Sequence, residues 1–316
     1  MKICIMMSTY NGAEYIEQQL DSIINQELPV RTDLRVFIRD DGSTDNTLDI
    51  LKRYCDGGND RHNKVDFTIL KGKNVGPARS FLELIRIAPQ ADIYAFCDQD
   101  DVWMQGKLKT SSSALISVEE NCNKKNIPTL WTSNYSLIDS DMRIIKRKTN
   151  CFEKQSFCRA LFYNEIPGCT MVFNKSLLDE MKRLDIKDFR MHDILALCTA
   201  LAIGRVLYDE TSYTLYRQHS KNVIGENHKS MPPIKWILDK IEVVLSNKTF
   251  NYSEYAEKAI DTYGRKLDKK LIRELCLIKN YRKGFNRLRL LRRTYTYCDD
   301  IRTSLSIRIR ILLGKV

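Results

Sequence analysis

Along the first hundred residues, short apolar runs alternate with stretches of helical spacing, and polar clusters separate the two. Residues 2–7 are apolar and stop at Ser8-Thr9-Tyr10-Asn11-Gly12, which predicts a strand entering a turn. Tyr15, Ile16, Leu20, Ile23 and Ile24 then recur at helical spacing. Residues 34–38 predict a second strand, ending in Asp40-Asp41-Gly42-Ser43-Thr44-Asp45, where Thr44 or Asp45 would cap a helix carrying Leu48, Leu51 and Tyr54. Residues 65–70 predict a third strand. After it come Asn74-Val75-Gly76-Pro77-Ala78-Arg79 and a helix through Phe81, Leu84, Ile85 and Ala88, with Pro77 suited to its first turn. Residues 93–97 predict the fourth strand, which ends in Asp98-Gln99-Asp100-Asp101.

Four strand–helix alternations argue for a parallel sheet with helices on both faces. Ligands in such sheets bind beyond the carboxyl ends of the strands. Every polar cluster above lies there, so all four should meet in one crevice. The acidic cluster after the fourth strand is the hardest to explain by packing, because close carboxylates repel and desolvation penalises each one. It is either a polar loop capping the next helix or the holder of a divalent cation, Mg²⁺ or Mn²⁺, with a substrate diphosphate completing the ligands. Asp41 could accept a hydrogen bond from a nucleobase or ribose, or shape the turn before Gly42. Arg79 could pair with phosphate or lie on a solvated helix face. No GxGxxG follows the first strand, and Gly72-Lys73 lacks P-loop spacing, which disfavours ATP hydrolysis of that kind.

Further along, residues 130–138 and 144–145 predict a hairpin around 139–143, and residues 166–173 a turn into another strand. Arg190-Met191-His192-Asp193 opens an apolar helix, where Asp193 is either an N-cap or a general base. Thr214-Leu215-Tyr216-Arg217-Gln218-His219 closes the domain. Pro232-Pro233 marks a boundary, after which Ile234, Ile237, Leu238, Ile241, Val244 and Leu245 recur at helical spacing, as do Leu271, Leu275, Ile278 and Tyr281.

Composition changes this picture in two places. The ten cysteines are scattered, with no CxxC pair, and fit a reducing cytoplasm. The net charge of +11 is concentrated in residues 279–316, where eleven Lys and Arg face only Asp299 and Asp300. Such a tail implies an anionic partner: lipid headgroups, nucleic acid or an acidic protein. Residues 288–316 mix Leu and Ile with Arg, as in helices that lie on anionic membranes; the plainer alternative is a bundle with a solvated basic face. Few aromatics and no reader motif argue against nucleic acid. No apolar stretch approaches the length of a spanning helix.

The four motifs, Ser8-Thr9-Tyr10-Asn11-Gly12, Asp40-Asp41-Gly42-Ser43-Thr44-Asp45, Asn74-Val75-Gly76 and Asp98-Gln99-Asp100-Asp101, resemble in order and spacing those of the family 2 glycosyltransferases. The resemblance runs over residues 1–224 and implies a GT-A fold: an α/β, Rossmann-like mixed sheet flanked by helices, here followed by a basic helical region. It divides the chain into a nucleotide-sugar domain, residues 1–225, and a helical region, residues 226–316. It implies transfer from a nucleoside-diphosphate sugar with inversion. Thr9, Tyr10, Asn11, Asp41 and Arg79 would hold the donor nucleotide. Asp98 would touch the ribose or the metal shell, and Asp100 would bind Mg²⁺ or Mn²⁺ on the diphosphate. Asp193 would be the base, because His192-Asp193 matches the form of bacterial rhamnosyltransferase-like members. Arg217 and His219 would lie in a loop over the donor, and Gly168 would border the acceptor pocket. The Gln-x-x-Arg-Trp motif of processive synthases is absent. The expected partners are a dTDP- or UDP-sugar, a glycan or lipid-linked acceptor of surface polysaccharide, and the cytoplasmic face of an anionic inner membrane. Two alternatives stand beside this reading: a sugar-1-phosphate nucleotidyltransferase, or a non-enzymatic protein acting through its basic tail.

Overall fold

The computed structural model describes residues 1–56, 65–121, 126–148, 152, 155–184, 189–219, 250–297 and 301–316. The chain divides into two compact units: Met1–Phe152 with Ile166–Ala200 and Gly204–His219, and Glu153–Glu165 with Leu201–Ile203 and Ser220–Val316. The expected boundary at residue 225, Pro232-Pro233 and the helical spacing over 234–245 lie outside the described residues.

In the first unit β1 (Lys2–Thr9), β2 (Asp33–Asp40), β3 (Val65–Lys71) and β4 (Ile93–Cys97) run parallel in the order β3-β2-β1-β4. Their side chains are apolar on both faces, as a doubly covered sheet requires. Ile3, Ile5, Met7, Val36, Ile38 and Ala95 share one core with Ile16, Leu20 and Ile23 of α1 (Ile16–Ile24) and Ile50, Leu51 and Tyr54 of α2 (Thr47–Cys55). Each large side chain buried there contributes about 1.5–3 kcal/mol. Phe81 of α3 (Pro77–Ile87) packs edge-on against Phe96 of β4. The register sets Met7 beside both Ile38 and Cys97, so β1, β2 and β4 end level and release their loops at one edge.

Past β4 the sheet becomes mixed. β8 (Val172–Asn174) lies antiparallel to β4, β6 (Thr129–Ile138) follows, then β9 (Arg205–Arg217) parallel to β6, with the two-residue β5 (Val102–Trp103) outside β9. β7 (Ile144–Lys148) forms the expected hairpin with β6. Helices α4 (Lys107–Asn121), α6 (Lys175–Arg183) and α7 (His192–Ile203) follow in sequence, with α5 (Phe157–Phe162) and the last three residues of α7 belonging to the second unit. The sequence pattern showed only the end of β9. Its first half, Arg205 to Tyr213, carries Asp209, Glu210 and Thr211 beside half-buried apolar residues, which hides the alternation.

The second unit is helical among its described residues: Tyr252–Tyr263, Lys269–Lys279, Asn286–Tyr297 and Ile301–Leu312. Asn251 and Asp268 cap the first two by accepting from the Glu254 and Leu271 amides. Leu271, Leu275 and Ile278 are buried as their spacing predicts, and Tyr281 is buried just past the helix, where its hydroxyl accepts from the Val316 amide. Among the described residues no helix is long and apolar enough to cross a membrane.

Candidate active site

The loops after β1, β2 and β3 interlock through side chains that the sequence placed together. Asp40 accepts from the Thr9 hydroxyl (3.1 Å), the Ser43 hydroxyl and the Gly42 and Ser43 amides. Asn11, at φ +48°, offers its amide to Ser43 Oγ and its Oδ1 to the Thr44 amide (2.8 Å). Asn tolerates that left-handed backbone better than most residues. The expected helix cap is shared: Asn46 stands at the cap position, while Asp45 accepts from the Thr47 amide (3.0 Å). Asp41 is buried against the Arg39 guanidinium and accepts from the amides of Val75 (3.0 Å) and Gly76 (2.8 Å). Its carboxylate thus fixes the Asn74-Val75-Gly76 loop, the turn-shaping alternative in a stronger form. Thr9 is buried, whereas the Tyr10 ring is 44% exposed at the edge of this array and Arg79 is exposed on the first turn of α3.

The fourth cluster joins the other three through Gln99, whose side chain accepts from the Tyr10 amide (2.9 Å) and donates to the Tyr10 carbonyl (3.1 Å). All four polar clusters therefore converge. Around Gln99 the acids are crowded. Asp98 is half-buried, and its carboxyl is pushed up to about 7, first by burial and then by the charges of Asp100 and Asp193. Asp101 is fully buried and also raised, by burial and then by Asp100 and Asp98. Asp193 is the second residue of α7, not its N-cap; Met191 holds that position. It is buried, and its neighbour His192 meets Phe96 of β4 edge-on at 4.5 Å, which brings the start of α7 to the end of β4.

His219 lies at this site: Nε2 is 2.8 Å from Asp100 Oδ2, and the ring stacks on Tyr15. Arg217 requires a correction. Its side chain is fully buried, and its five N–H groups face the carbonyls of Asp100 (2.8 Å), Asp139 (3.2 Å) and Ser140 (2.9 Å), Gln18 Oε1 (2.6 Å) and Met142 Sδ (3.2 Å). A guanidinium has five such donors, so none is left for a diphosphate. Arg217 instead holds the Asp100 backbone in place, and its own amide donates to Asp101 Oδ1 (3.1 Å).

Lys107 was not legible in the sequence. It is fully buried beneath the acids and donates to the Cys169 carbonyl and to Thr214 Oγ1 (3.2 Å), with its ammonium over the Trp103 ring. Burial lowers its pKa to about 8, and the surrounding anionic groups oppose that shift. The weak amphipathy of α4 gave no sign of it, since one buried polar residue leaves no periodic trace.

The donor set fits a hard divalent cation. Asp98, Asp101 and Cys169 each offer an atom within 4.8 Å of the others. Burial raises the Cys169 thiol well above its usual range, and a soft sulfur is poorly matched to a hard Mg²⁺ or Mn²⁺. That leaves carboxylate oxygens. Asp98, expected from the sequence, is in that group, whereas Asp101 stands there where Asp100 was expected; such carboxylates suit Mg²⁺ or Mn²⁺.

Comparison with known proteins agrees with this geometry. Residues 4–115 match the family model "Glycosyl transferase family 2". The chain is 32% identical to the dTDP-rhamnosyl transferase RfbG of Shigella flexneri, over 70% of this chain and 74% of that protein. It is 28% identical to a poly(ribitol-phosphate) beta-glucosyltransferase of Bacillus spizizenii, over 40% of this chain and 20% of that protein. The crystal structure of S. aureus TarS 1-349 in complex with UDP-GlcNAc superposes with a TM-score of 0.53 at 16% identity, covering all of this chain and 93% of that one. At that identity the likeness is one of fold.

Proposed function

The chain belongs to glycosyltransferase family 2, has the GT-A fold and is a glycosyltransferase, and from that premise we propose that it moves a sugar, with inversion, from a nucleoside-diphosphate donor to a hydroxyl of a glycan or lipid-linked acceptor. Family membership removes the nucleotidyltransferase and the non-enzymatic alternatives. One observation carries the reading: His192, the residue before Asp193, meets Phe96 of β4 edge-on at 4.5 Å, so the acid in the first turn of α7 lies close to the acids that end β4. Inverting transfer needs that pairing of one base with one anion-binding centre.

Asp193 takes the proton from the acceptor hydroxyl as its oxygen attacks the anomeric carbon, and the bond from that carbon to the diphosphate breaks. Thr9, Tyr10, Asn11 and Asp41 form the base and ribose end, with Asp41 acting through the Val75–Gly76 backbone. Arg79 faces the phosphates from α3. Asp98 and Asp100 would hold Mg²⁺ or Mn²⁺, which supplies positive charge to the departing diphosphate. His219 orients Asp100. dTDP-rhamnose is the first candidate donor, on the similarity to a dTDP-rhamnosyl transferase, and UDP-hexoses come next.

Calorimetric titration of UDP, dTDP, GDP and ADP, with and without Mn²⁺, tests the donor site. One pyrimidine diphosphate is expected to bind in a metal-dependent manner and to lose binding in Asp100→Ala. Asp193→Asn is expected to keep that binding and to lose transfer by about 10²–10⁴-fold, the usual worth of a general base. Absence of binding by any nucleotide to folded protein removes the reading.

We also propose that the second unit rests on the cytoplasmic face of an anionic inner membrane. The exposed Phe285, Leu288, Leu312 and Leu313 lie with Arg282, Lys283 and Arg289, and Arg282 donates to the Gly314 carbonyl, bringing the two segments together. Exposed apolar anchors among cations suit a lipid interface. Salt-sensitive sedimentation with phosphatidylglycerol vesicles, weakened in Phe285→Ser, is the expected outcome; equal sedimentation with neutral vesicles counts against it.

A further inference from the structure

His192 sits in a slot that offers its polar atoms nothing. The side chain is 3% exposed, the ring stacks on Phe81 at 3.7 Å between centroids and 20° between planes, and Phe96 meets it edge-on at 4.5 Å. Neither ring nitrogen has a hydrogen-bond partner among the described residues. An apolar side chain would occupy such a slot without leaving polar atoms unsatisfied, so the shape of the ring needs a separate explanation.

Gly168 supplies one. A Cβ built on Gly168 would stand 2.5 Å from His192 Nε2 and 3.3 Å from both flanking ring carbons. The imidazole thus occupies the volume in which any side chain at 168 would have to lie. The ring cannot swing clear, because Phe81 covers its face and Phe96 its edge, and both phenylalanines are themselves buried. A close-packed slot of this kind transmits displacement instead of absorbing it. His192 is the first residue of α7 and Asp193 the second, so a push on the ring moves the backbone that carries the carboxylate.

We propose that Gly168 and His192 are positioning residues that together seat the first turn of α7 and so place the Asp193 carboxylate against the acceptor. The bare backbone at 168 admits the ring, and the ring, wedged between Phe81 and the 168 backbone, fixes the helix start. The inference rests on the reading of Asp193 as the base.

A double-variant cycle tests it: Gly168→Ala, His192→Ala and the pair together. The readouts are the melting temperature, the dissociation constant of UDP and dTDP with Mn²⁺, and nucleoside diphosphate release from dTDP-rhamnose or UDP-glucose. Gly168→Ala is expected to cut the release rate at least tenfold and to lower the melting temperature, with nucleotide affinity within twofold of wild type. His192→Ala vacates the volume, so the pair should regain at least threefold in rate, and part of the melting temperature, over Gly168→Ala alone. A wild-type rate in Gly168→Ala, or effects that multiply in the pair, overturns the proposal. Recovery of melting temperature without recovery of rate shows a seat that does not place the base, and also overturns it. If Gly168→Ala does not fold, a folded double variant supports the proposal and an unfolded one overturns it. Asp193→Asn separates the two ideas. Retained turnover there defeats the base assignment, while coupling in melting temperature still reports on the seat.

Discussion

The two ends of the crevice solve the burial of carboxylates in opposite ways. At the β2 end, Asp40 and Asp41 are surrounded by donors: hydroxyls, four backbone amides and the Arg39 guanidinium. At the β4 end, Asp98 and Asp101 face other acids, and their carboxyls are raised by burial and by like charge. The first arrangement fixes loops. The second stores repulsion that a cation would relieve, and clustered, perturbed acids of that sort are more typical of function than of packing. Lys107 beneath the second cluster compensates it in part.

Substitution should break this contrast by sign as well as size. Asp41→Asn removes one of the two carboxylates on the buried Arg39, whose Nε still pairs with Glu83 at 2.6 Å, and weakens the hold on the Val75 and Gly76 amides; it is expected to cost about 1–3 kcal/mol in urea unfolding. Lys107→Met should cost a similar amount by leaving the acids uncompensated. Asp98→Asn should do the reverse. Its ionised form is disfavoured in the folded state, so at pH 8 the ligand-free variant is expected to be more stable by up to about 2 kcal/mol, after allowance for partial exposure. If both aspartate variants destabilise equally, the two ends do not differ as described.

A pH dependence sharpens the same contrast. Burial lowers the pKa of His192 from 6.5 to about 3. The unfolded chain therefore binds the proton more readily, and stability present above pH 6.5 is lost as pH falls toward 3. Between pH 7 and pH 5 the loss from this group alone is about 2 kcal/mol. Melting curves of His192→Ala should show a flatter acid limb than wild type. The smallest effect belongs to the hinge between the two ends: Gln99→Ala removes both bonds to the Tyr10 backbone and should cost about 1–2 kcal/mol.

What the sequence made legible was whatever repeats or clusters along it. Alternating runs located β1 to β4, and the polar clusters after them converged as topology demands. Lys107 was missed, and Arg217 was expected over the donor and not in the interior, for a shared reason. The place of a cation is not legible until its partners are known, and those partners, Thr214 for one and Gln18 for the other, lie 107 and 199 residues away. Gly168 was visible as a residue but not as a space, because the ring that fills the space comes from α7. Short β5 and the polar first half of β9 lacked a period long enough to register.

The bond from Arg217 to Gln18 also has a temporal meaning. Residues that complete the acidic cluster are the last of the first unit to be synthesised, and they close the longest loop in it. The β1 to β4 core can pair while translation continues, whereas the backbone at Asp100 and Asp101 is fixed only once Arg217 has left the ribosome and docked. Long loop closure comes late in folding. A nascent chain stalled before residue 205 is therefore expected to show a protected sheet core but no metal-dependent nucleotide binding. On the proposed reading, the competence to hold a donor would then be acquired in one late step and not piece by piece.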